Sequence, residues 1–205
     1  DWQVKASYNY RESGSDDQLF FAYTTTGLDP LTGEGLLGWS YKGIDQGRSH
    51  LGDITLNGRF PLFGREQEAV FGFSIARSEE TTWDHPVSSS DPSFGALPAF
   101  PYAGNAIAEP QWGPRTRSNW TNQRLKRGYG ATRLSFTDRL KSVIGFNWAE
   151  YHRDGNNGVA FNQTEDHISP YAGLTWDFND NVLGYVSYSD IYQPQDQYDI
   201  KHVYL

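Results

Sequence analysis

The chain has 205 residues, and none of them is cysteine or methionine. The absence of cysteine excludes a disulfide framework and a metal site built from thiolates. Because the initiator methionine is missing as well, we expect the chain to be a processed or excised portion. Positive charge is scarce, since 17 Lys and Arg oppose 25 Asp and Glu. The resulting net charge of −8 argues against a nucleic-acid partner, which would recruit a basic surface.

Long apolar runs are also missing from the sequence. No segment approaches the roughly 18 apolar residues that a membrane-spanning helix needs. A transmembrane β-barrel would escape that test, because only every second residue of its strands faces lipid. Aromatic residues, in contrast, are abundant, with 7 Trp, 13 Tyr and 12 Phe.

The clearest pattern in the chain is an alternation of apolar and polar residues. From Ile168 to Phe178 the even-numbered residues are apolar, whereas most odd-numbered ones are polar or small. This period of two is typical of a β-strand, whose successive side chains point to opposite faces. Residues 179–181 supply turn formers, and Val182 to Tyr192 returns as a second arm. We therefore predict a β-hairpin with one apolar and one polar face.

The same alternation predicts a series of further hairpins. Besides this hairpin, strands are predicted over residues 2–10, 53–60, 69–75, 130–136 and 144–148, with less regular ones over 19–26 and 37–44. Turns are predicted over residues 11–18, 61–67, 137–140 and 179–181. Longer connections are predicted over residues 27–38, 78–125 and 152–165, and the tail from residue 193 onward is expected to end inside a loop.

Short and long connections alternate along the chain. In an up-and-down sheet, alternate connections lie at the same end, so one end should be trimmed and the other should carry long loops. Outer-membrane barrels have this asymmetry, together with strands of about 10 residues. Arg59 adds a charge in mid-strand, which a water-filled lumen accepts. The predicted fold class is all-β: an antiparallel up-and-down transmembrane β-barrel.

Three of the predicted hairpin segments read SPYAGLTWDFNDNVLGYVSYSDIYQPQ, PLFGREQEAVFGFS and GYGATRLSFTDRLKSVIGF. They resemble the barrel of TonB-dependent ferric-siderophore receptors. Two other segments, DPLTGEGL and YAGNAIAEPQWG, resemble loops of the same family. The most specific signatures are the LFGRE turn and the YSDIYQPQ strand end, and the resemblance runs along most of the chain.

The resemblance implies a bacterial outer-membrane barrel of about 22 strands with an N-terminal plug. Such a receptor imports iron chelates with energy from TonB, and it is not an enzyme. The chain has room for about eight or nine strands, so we expect residues 1–205 to be part of the barrel domain, with the plug absent. The implied partners are a ferric siderophore, the TonB complex acting through the missing plug, outer-membrane lipid and lipopolysaccharide.

The resemblance also implies that the protein needs no cofactor of its own, because the siderophore carries the iron. The five His show no spacing typical of a metal site. Ligand-binding residues are instead expected among the aromatics of the long connection, whose flat faces suit catechol, hydroxamate or chromophore groups. These aromatic candidates are Trp83, Phe100, Tyr102, Trp112 and Trp120. The alternative is that they pack against their own loop.

A basic run follows in this otherwise acidic chain. It contains Arg115, Arg117, Arg124, Lys126 and Arg127. These side chains could hold an anionic chelate or the phosphate of lipopolysaccharide through charge-assisted hydrogen bonds, or they could be a solvated strand end. We include Arg115 and Arg117 in the predicted ligand site.

Two other classes of protein remain open at this stage. One is an outer-membrane barrel enzyme, a protease or lipase, which would need a group such as His152 with Asp154 and a serine; the chain has no G-x-S-x-G motif. The other is a soluble, Trp-rich carbohydrate-binding β-sandwich, which would partition into water without detergent. The transport receptor is the favoured interpretation.

Overall fold

A computed structural model describes residues 1–193, so most of the predicted tail lies outside the described residues. These described residues form one sheet of eight strands, and every pair of neighbours is antiparallel. The strands are β1 (Trp2–Tyr23), β2 (Leu37–Leu62), β3 (Arg65–Asp84), β4 (Gly95–Ala96), β5 (Thr116–Ser135), β6 (Leu140–Asn157), β7 (Ala160–Asn179) and β8 (Val182–Ser189). Within residues 1–193, no helix is long and apolar enough to cross a membrane.

The long strands lie side by side in the order of the sequence, β1-β2-β3-β5-β6-β7-β8. The short β4 pairs with the start of β2, where it extends the sheet beyond the end of β3. Strands β1 and β8 form the two edges of the sheet. The predicted antiparallel, up-and-down architecture is confirmed, and the sheet is a partial, unclosed barrel wall.

The strand register gives the sheet two faces of opposite chemistry. On the apolar face, two successive rows run across the wall from β1 to β7: Val4, Leu56, Phe71, Gly130, Phe146 and Pro170, then Ala6, Ile54, Phe73, Gly128, Trp148 and Ile168. On the polar face, the row between them contains Lys5, Thr55, Gly72, Tyr129, Asn147 and Ser169. A shift of one residue would exchange the faces, so the hydrophobic pattern specifies the register.

The sheet has almost no hydrophobic core of its own. Among the described residues, the buried hydrophobic side chains are Ala69 and Leu97. Phe71, Phe73 and Ile75 remain 42–45% exposed on the apolar face. A soluble domain would bury such a face, whereas a transmembrane barrel presents it to lipid.

The connections differ between the two ends of the wall. At what we call the turn end, the strands are joined by residues 63–64, 136–139 and 180–181. At the opposite loop end they are joined by residues 24–36, 85–115 and 158–159. Two of the three loop-end connections are long, as predicted. The third is a tight turn, with Gly158 at φ 82°.

The turn end is held together by contacts between successive hairpins. Phe63 and Gly64 both have positive φ, 56° and 70°, the geometry of a two-residue type I′ hairpin turn. The ring of Phe63 lies 5.9 Å from that of Phe136 in the next turn. Gln67 is fully buried and donates to the carbonyls of Leu62 (2.9 Å) and Ser135 (3.3 Å), which ties the two hairpins together.

Three predicted boundaries are wrong in the same way, because the strands continue past them. Residues 11–18 form no turn, since β1 runs unbroken to Tyr23; residues 152–165 belong almost entirely to β6 and β7; and the connection predicted over 78–125 shrinks to 85–115. In these stretches most residues on the apolar side are polar too, apart from Trp83 and Trp120, so the alternation is lost although the backbone ladder continues. On β1, for example, Ser15 pairs with Asp45 on the polar face and Glu12 pairs with Arg48 on the other.

The two faces generate a first prediction about stability. We expect Phe73→Arg, on the apolar face, to lower the free energy of unfolding in lipid by about 2–4 kcal/mol, because the charge would enter hydrocarbon. The control, Asn57→Arg, lies on the polar face and should cost little. Denaturant titrations of the whole protein in lipid vesicles measure both values. The opposite order of the two losses would mean that the faces are assigned the wrong way round.

Candidate functional site

The first candidate site is the part of β1 and β2 that rises above the end of β3. The last β2 residue that pairs with β3 is Gly43, whereas β1 and β2 remain paired up to Tyr23 and Leu37. The register is uninterrupted, so odd-numbered residues of both strands continue the polar face. In this upper hairpin those residues are no longer polar. They form what we call the aromatic face: Leu19, Phe21, Tyr23, Trp39 and Tyr41.

The aromatic face is open. Phe21 and Trp39 lie opposite each other with ring centroids 5.4 Å apart and planes tilted by 30°, yet they remain 42% and 48% exposed. Leu19 and Tyr23 are exposed beside them. The hydroxyl of Tyr41 points to Asp84, 3.5 Å from its carboxylate. Flat, exposed aromatic side chains of this kind can stack against a conjugated ligand.

The opposite side of the upper hairpin is covered by residues 85–115. Leu97 is 8% exposed there, and its amide donates to the carbonyl of Leu36 (2.9 Å). Gly38 makes the close approach possible, because a Cβ at this position would lie 2.7 Å from the Leu97 side chain. The amide of His85 donates to the carbonyl of Lys42 (2.9 Å) and fixes the start of the connection. Among residues 1–193, the chain thus covers one side of the hairpin and leaves the aromatic face exposed.

Three of the predicted ligand-binding residues lie within residues 100–112 of this covering loop. The rings of Phe100 and Tyr102 meet edge to face at 6.1 Å. Trp112 lies under the ammonium group of Lys42, 5.8 Å from it. Tyr102 and Trp112 also line a groove of about 330 Å³ between the loop and β1–β2.

Glu109 anchors the same loop to β1. Its carboxylate accepts hydrogen bonds from Trp112 Nε1 and from Gln18 Nε2, both at 2.9 Å. The bond from Trp112, with that from Gln18, lowers the pKa of Glu109 below its usual value. The carboxylate therefore stays ionised, and the loop contact persists, at mildly acidic pH.

The other four predicted residues form a separate cluster at the loop end of β3 and β5. The guanidinium of Arg115 lies 4.1 Å from the ring centroid of Trp83, and that of Arg117 lies 5.5 Å from Trp120. Trp83 pairs with Ile44, and Trp120 pairs with Thr81. These pairings place the cluster on the continuation of the apolar face, on the opposite side of the sheet from the aromatic face.

The aromatic face of the upper hairpin was not predicted. The sequence Leu-Phe-Phe-Ala-Tyr over residues 19–23 puts large apolar side chains on both faces of β1, so periodicity alone does not distinguish them. The predicted basic run is likewise divided by the register. Arg124 and Lys126 lie on the apolar face, whereas Arg127 lies on the polar face and donates to Asn147 Oδ1.

Below the upper hairpin, side-chain hydrogen bonds and ion pairs link neighbouring strands on the polar face. Asp53 accepts hydrogen bonds from Ser74 (3.0 Å) and Thr55 (3.1 Å), and the Thr55 hydroxyl lies 3.1 Å from that of Tyr129. Nearer the turn end, Glu68 lies between two guanidinium groups, 3.8 Å from Arg59 and 3.6 Å from Arg133. A wall of this kind suits a water-filled lumen.

No metal site emerges from the part of the chain that the structure describes, since it contains no group of three or more His, Asp or Glu side chains placed to hold an ion. His152, considered above for catalysis, contacts Thr164 Oγ1 through Nδ1 (2.8 Å) and Asp154 Oδ1 through Nε2 (3.3 Å). The first contact joins β6 to β7, and the second lies along β6.

An open antiparallel wall with an apolar face, a wet polar face and long loops at one end is a segment of an outer-membrane β-barrel. Residues 1–202 match the family model described as "TonB dependent receptor-like, beta-barrel", and the chain belongs to this family. Its members are receptors in the outer membrane of Gram-negative bacteria and are not enzymes. This membership rules out the barrel-enzyme and soluble-sandwich alternatives.

Several relatives share a named ligand. The chain is 28% identical over 213 residues to the ferric-pyoverdine 358 receptor of Pseudomonas putida, covering 98% of this chain and 25% of the relative. It is 30% identical over 151 residues to the ferripyoverdine receptor of Pseudomonas aeruginosa, covering 71% of this chain and 17% of the relative. The crystal structure of the P. aeruginosa outer-membrane ferripyoverdine receptor bound to ferripyoverdine superposes with a TM-score of 0.80 at 25% identity, covering 100% of this chain and 26% of that one.

The chain therefore spans about a quarter of the length of most of the curated relatives that it matches.

The covering loop generates a second prediction. We expect Leu97→Asp to detach residues 85–115 from the upper hairpin, because a carboxylate would replace one of the few buried apolar side chains. Proteolytic cleavage within 85–115 should become at least about tenfold faster on intact cells, equivalent to about 1.4 kcal/mol of lost docking energy. The control is Leu31→Asp in residues 24–36, where Leu31 is 94% exposed. Equal cleavage rates in the two variants would contradict the docking.

Proposed function

We propose that this chain is part of a TonB-dependent outer-membrane receptor that takes up a ferric siderophore of the pyoverdine class. The observation that carries the proposal is the open aromatic face, where Phe21 and Trp39 stand exposed on the polar side of the wall at the loop end. The resemblance to ferric-pyoverdine receptors over nearly the whole chain supports the same ligand class.

The order of surfaces from the loop end to the turn end suits stepwise uptake. A ferric chelate arriving from outside would first stack on the aromatic face. The exposed rings are covered by water, which a conjugated group of the ligand can displace at little cost in free energy. Below it, hydroxyl, amide and carboxylate groups such as Ser74, Thr55 and Asp53 offer exchangeable hydrogen bonds to a polar ligand. Weak, repeated contacts of this kind allow a ligand to bind and to leave again.

The remaining parts of the proposal concern the whole receptor. All of residues 1–205 would belong to the barrel domain, and a plug would occupy the lumen and pass energy from the TonB complex to the bound ligand. The iron would arrive inside the siderophore, so the protein would supply no metal ligands. Outer-membrane lipid, including lipopolysaccharide, would surround the apolar face.

The predicted loop residues Phe100, Tyr102 and Trp112 are proposed as secondary contacts. Their loop, residues 85–115, packs on the side of the hairpin opposite the aromatic face, so they would reach the ligand only around the hairpin edge. Trp83, Arg115, Arg117 and Trp120 lie on that opposite side as well, and a direct contact with a chelate in the lumen is less favourable for them.

The third prediction tests the proposed site. In the intact receptor, the double variant Phe21→Ala and Trp39→Ala should raise the dissociation constant of a ferric pyoverdine at least about tenfold, equivalent to about 1.4 kcal/mol of lost stacking. The matched double variant Tyr102→Ala and Trp112→Ala should raise it less, about threefold. Intrinsic pyoverdine fluorescence on whole cells gives both values, and antibody labelling of surface receptor checks that each variant is inserted.

Two outcomes would overturn this assignment. Unchanged affinity in the Phe21 and Trp39 variant would remove the aromatic face from the site, and a larger loss in the Tyr102 and Trp112 variant would move the site to the covering loop.

A ferric trihydroxamate and a ferric catecholate serve as comparison chelates, and tighter binding of either would reject the pyoverdine class. Uptake that continues in cells lacking TonB would reject the energy source.

A further inference from the structure

Aromatic side chains on the polar face lie opposite glycines. Below the upper hairpin, strands β2–β7 carry four aromatic residues on this face: Tyr129, Tyr151, Phe161 and Tyr171. Three of them pair directly with a glycine of the neighbouring strand, namely Tyr129 with Gly72, Phe161 with Gly155 and Tyr171 with Gly145. A glycine leaves the backbone of its strand uncovered, so a ring on the adjacent strand can lie across it.

Tyr129 lies flat on Gly72. A Cβ at position 72 would be 2.1 Å from Tyr129 Cζ, 2.3 Å from its Oη and 2.5 Å from its Cε1, so the ring fills the space of the missing side chain. These are the three nearest atoms, and a methyl group at position 72 would therefore press first on the ring. A Cβ at Gly145 would also meet the carbonyl oxygen of Gly130 at 2.6 Å, so Gly72 is the cleaner position for a substitution.

Two further contacts hold the Tyr129 ring against the sheet. Its hydroxyl lies 3.1 Å from Thr55 Oγ1 on β2, so the side chain starts on β5, crosses β3 and links three strands. The guanidinium of Arg127 lies 5.2 Å from the ring centroid and donates a hydrogen bond to Asn147. The ring is half-buried as a result.

The flat ring keeps the polar face low in the middle of the proposed uptake path. Side chains of a strand ordinarily stand roughly perpendicular to the sheet, and a tyrosine in that orientation would project into the lumen. Thr55, which contacts the Tyr129 hydroxyl, also donates to Asp53, and Asp53 accepts a second hydrogen bond from Ser74. A standing ring would lie over these hydrogen-bonding groups and narrow the passage beside them.

We infer that Gly72 is a positioning residue for transport, because it lets Tyr129 lie flat and so keeps the path along β2, β3 and β5 open to the ligand. The inference rests on the proposed uptake function and concerns the step after the ligand has been captured. Gly72 acts only through the ring of Tyr129. A substitution that raises the ring should therefore slow uptake and leave the affinity for the chelate at the cell surface unchanged.

The fourth prediction compares uptake with binding in the full-length receptor on whole cells. Gly72→Ala should lower the rate of radioactive-iron uptake from saturating ferric pyoverdine at least about fivefold, while the dissociation constant changes less than about twofold. Adding Tyr129→Ala to Gly72→Ala should restore the rate to within about twofold of wild type, because the methyl group no longer meets a ring. The matched control is Gly173→Ala on the polar face of β7, where the nearest atoms are 3.8 and 3.9 Å from the added Cβ, and it should have no effect.

Fluorine NMR gives a second measurement that needs no ligand. Fluorotyrosine is placed at position 129 of the full-length receptor in detergent. Gly72→Ala should shift its resonance and increase its response to replacement of water by heavy water, whereas Gly173→Ala should do neither. A wild-type receptor that binds no ferric pyoverdine would reject the proposed ligand only, since the NMR comparison still tests the position of the ring.

Four results would overturn the inference. Unchanged uptake in Gly72→Ala, an equal loss in Gly173→Ala and an unmoved fluorine resonance each contradict it. The fourth is a double variant as slow as Gly72→Ala alone, which would mean that the glycine supports the sheet and not the ring. A rise in the dissociation constant that matches the fall in uptake would place Tyr129 in the capture site and reject a role in passage. If Gly72→Ala is not inserted, the double variant decides, because a wild-type rate supports the inference and a slow rate contradicts it.

Discussion

The structure depends above all on an unbroken backbone ladder. In hydrocarbon no water is available to an N–H or C=O group, and each unpaired group costs several kcal/mol. The strands meet that requirement with antiparallel pairing that runs from Trp2 to Tyr23 against β2 without a shift, and with almost the same regularity from β3 to β7. This pairing fixes the register of the strands, and the register in turn decides which face of the sheet each side chain occupies.

The register assigns each side chain to one of two solvents. Phe73 lies on the apolar face while its neighbour Ser74 donates a hydrogen bond to Asp53 on the polar face, and the same division recurs on each long strand up to β7. Nearer the loop end, polar residues enter the apolar side as well, and the division loses its chemical contrast. There the ladder persists with Ser15 opposite Asp45 on the polar side and Glu12 opposite Arg48 on the other.

The two sides of the sheet differ at the loop end, because the chain covers only one side of the upper hairpin. The aromatic face of the upper hairpin opens toward the polar side, and residues 85–115 cover its reverse. On β3 and β5 the register places Arg77 opposite Arg124 on the apolar side. One sheet thus separates surfaces of different chemistry, and neither requires a core of its own.

The sequence alone determined the fold class, the strand order and the position of the two faces. Alternation is a local property, so segments such as 69–75 reveal their apolar side without any knowledge of their partners. The LFGRE turn is local too, since Phe63 and Gly64 adopt positive φ within a single tight turn.

The tertiary structure alone decided how far the strands extend and which loop residues meet. Residues 11–18 are strand only because β2 supplies their partners, and polar residues on two wet faces leave no periodic signal. The aromatic face became visible only when pairing placed Phe21 beside Trp39 and residues 85–115 covered the other side. The division of the basic run, with Arg124 and Arg127 on opposite faces, likewise depends on register. These features arise from contacts between residues far apart in the chain, which composition and spacing do not encode.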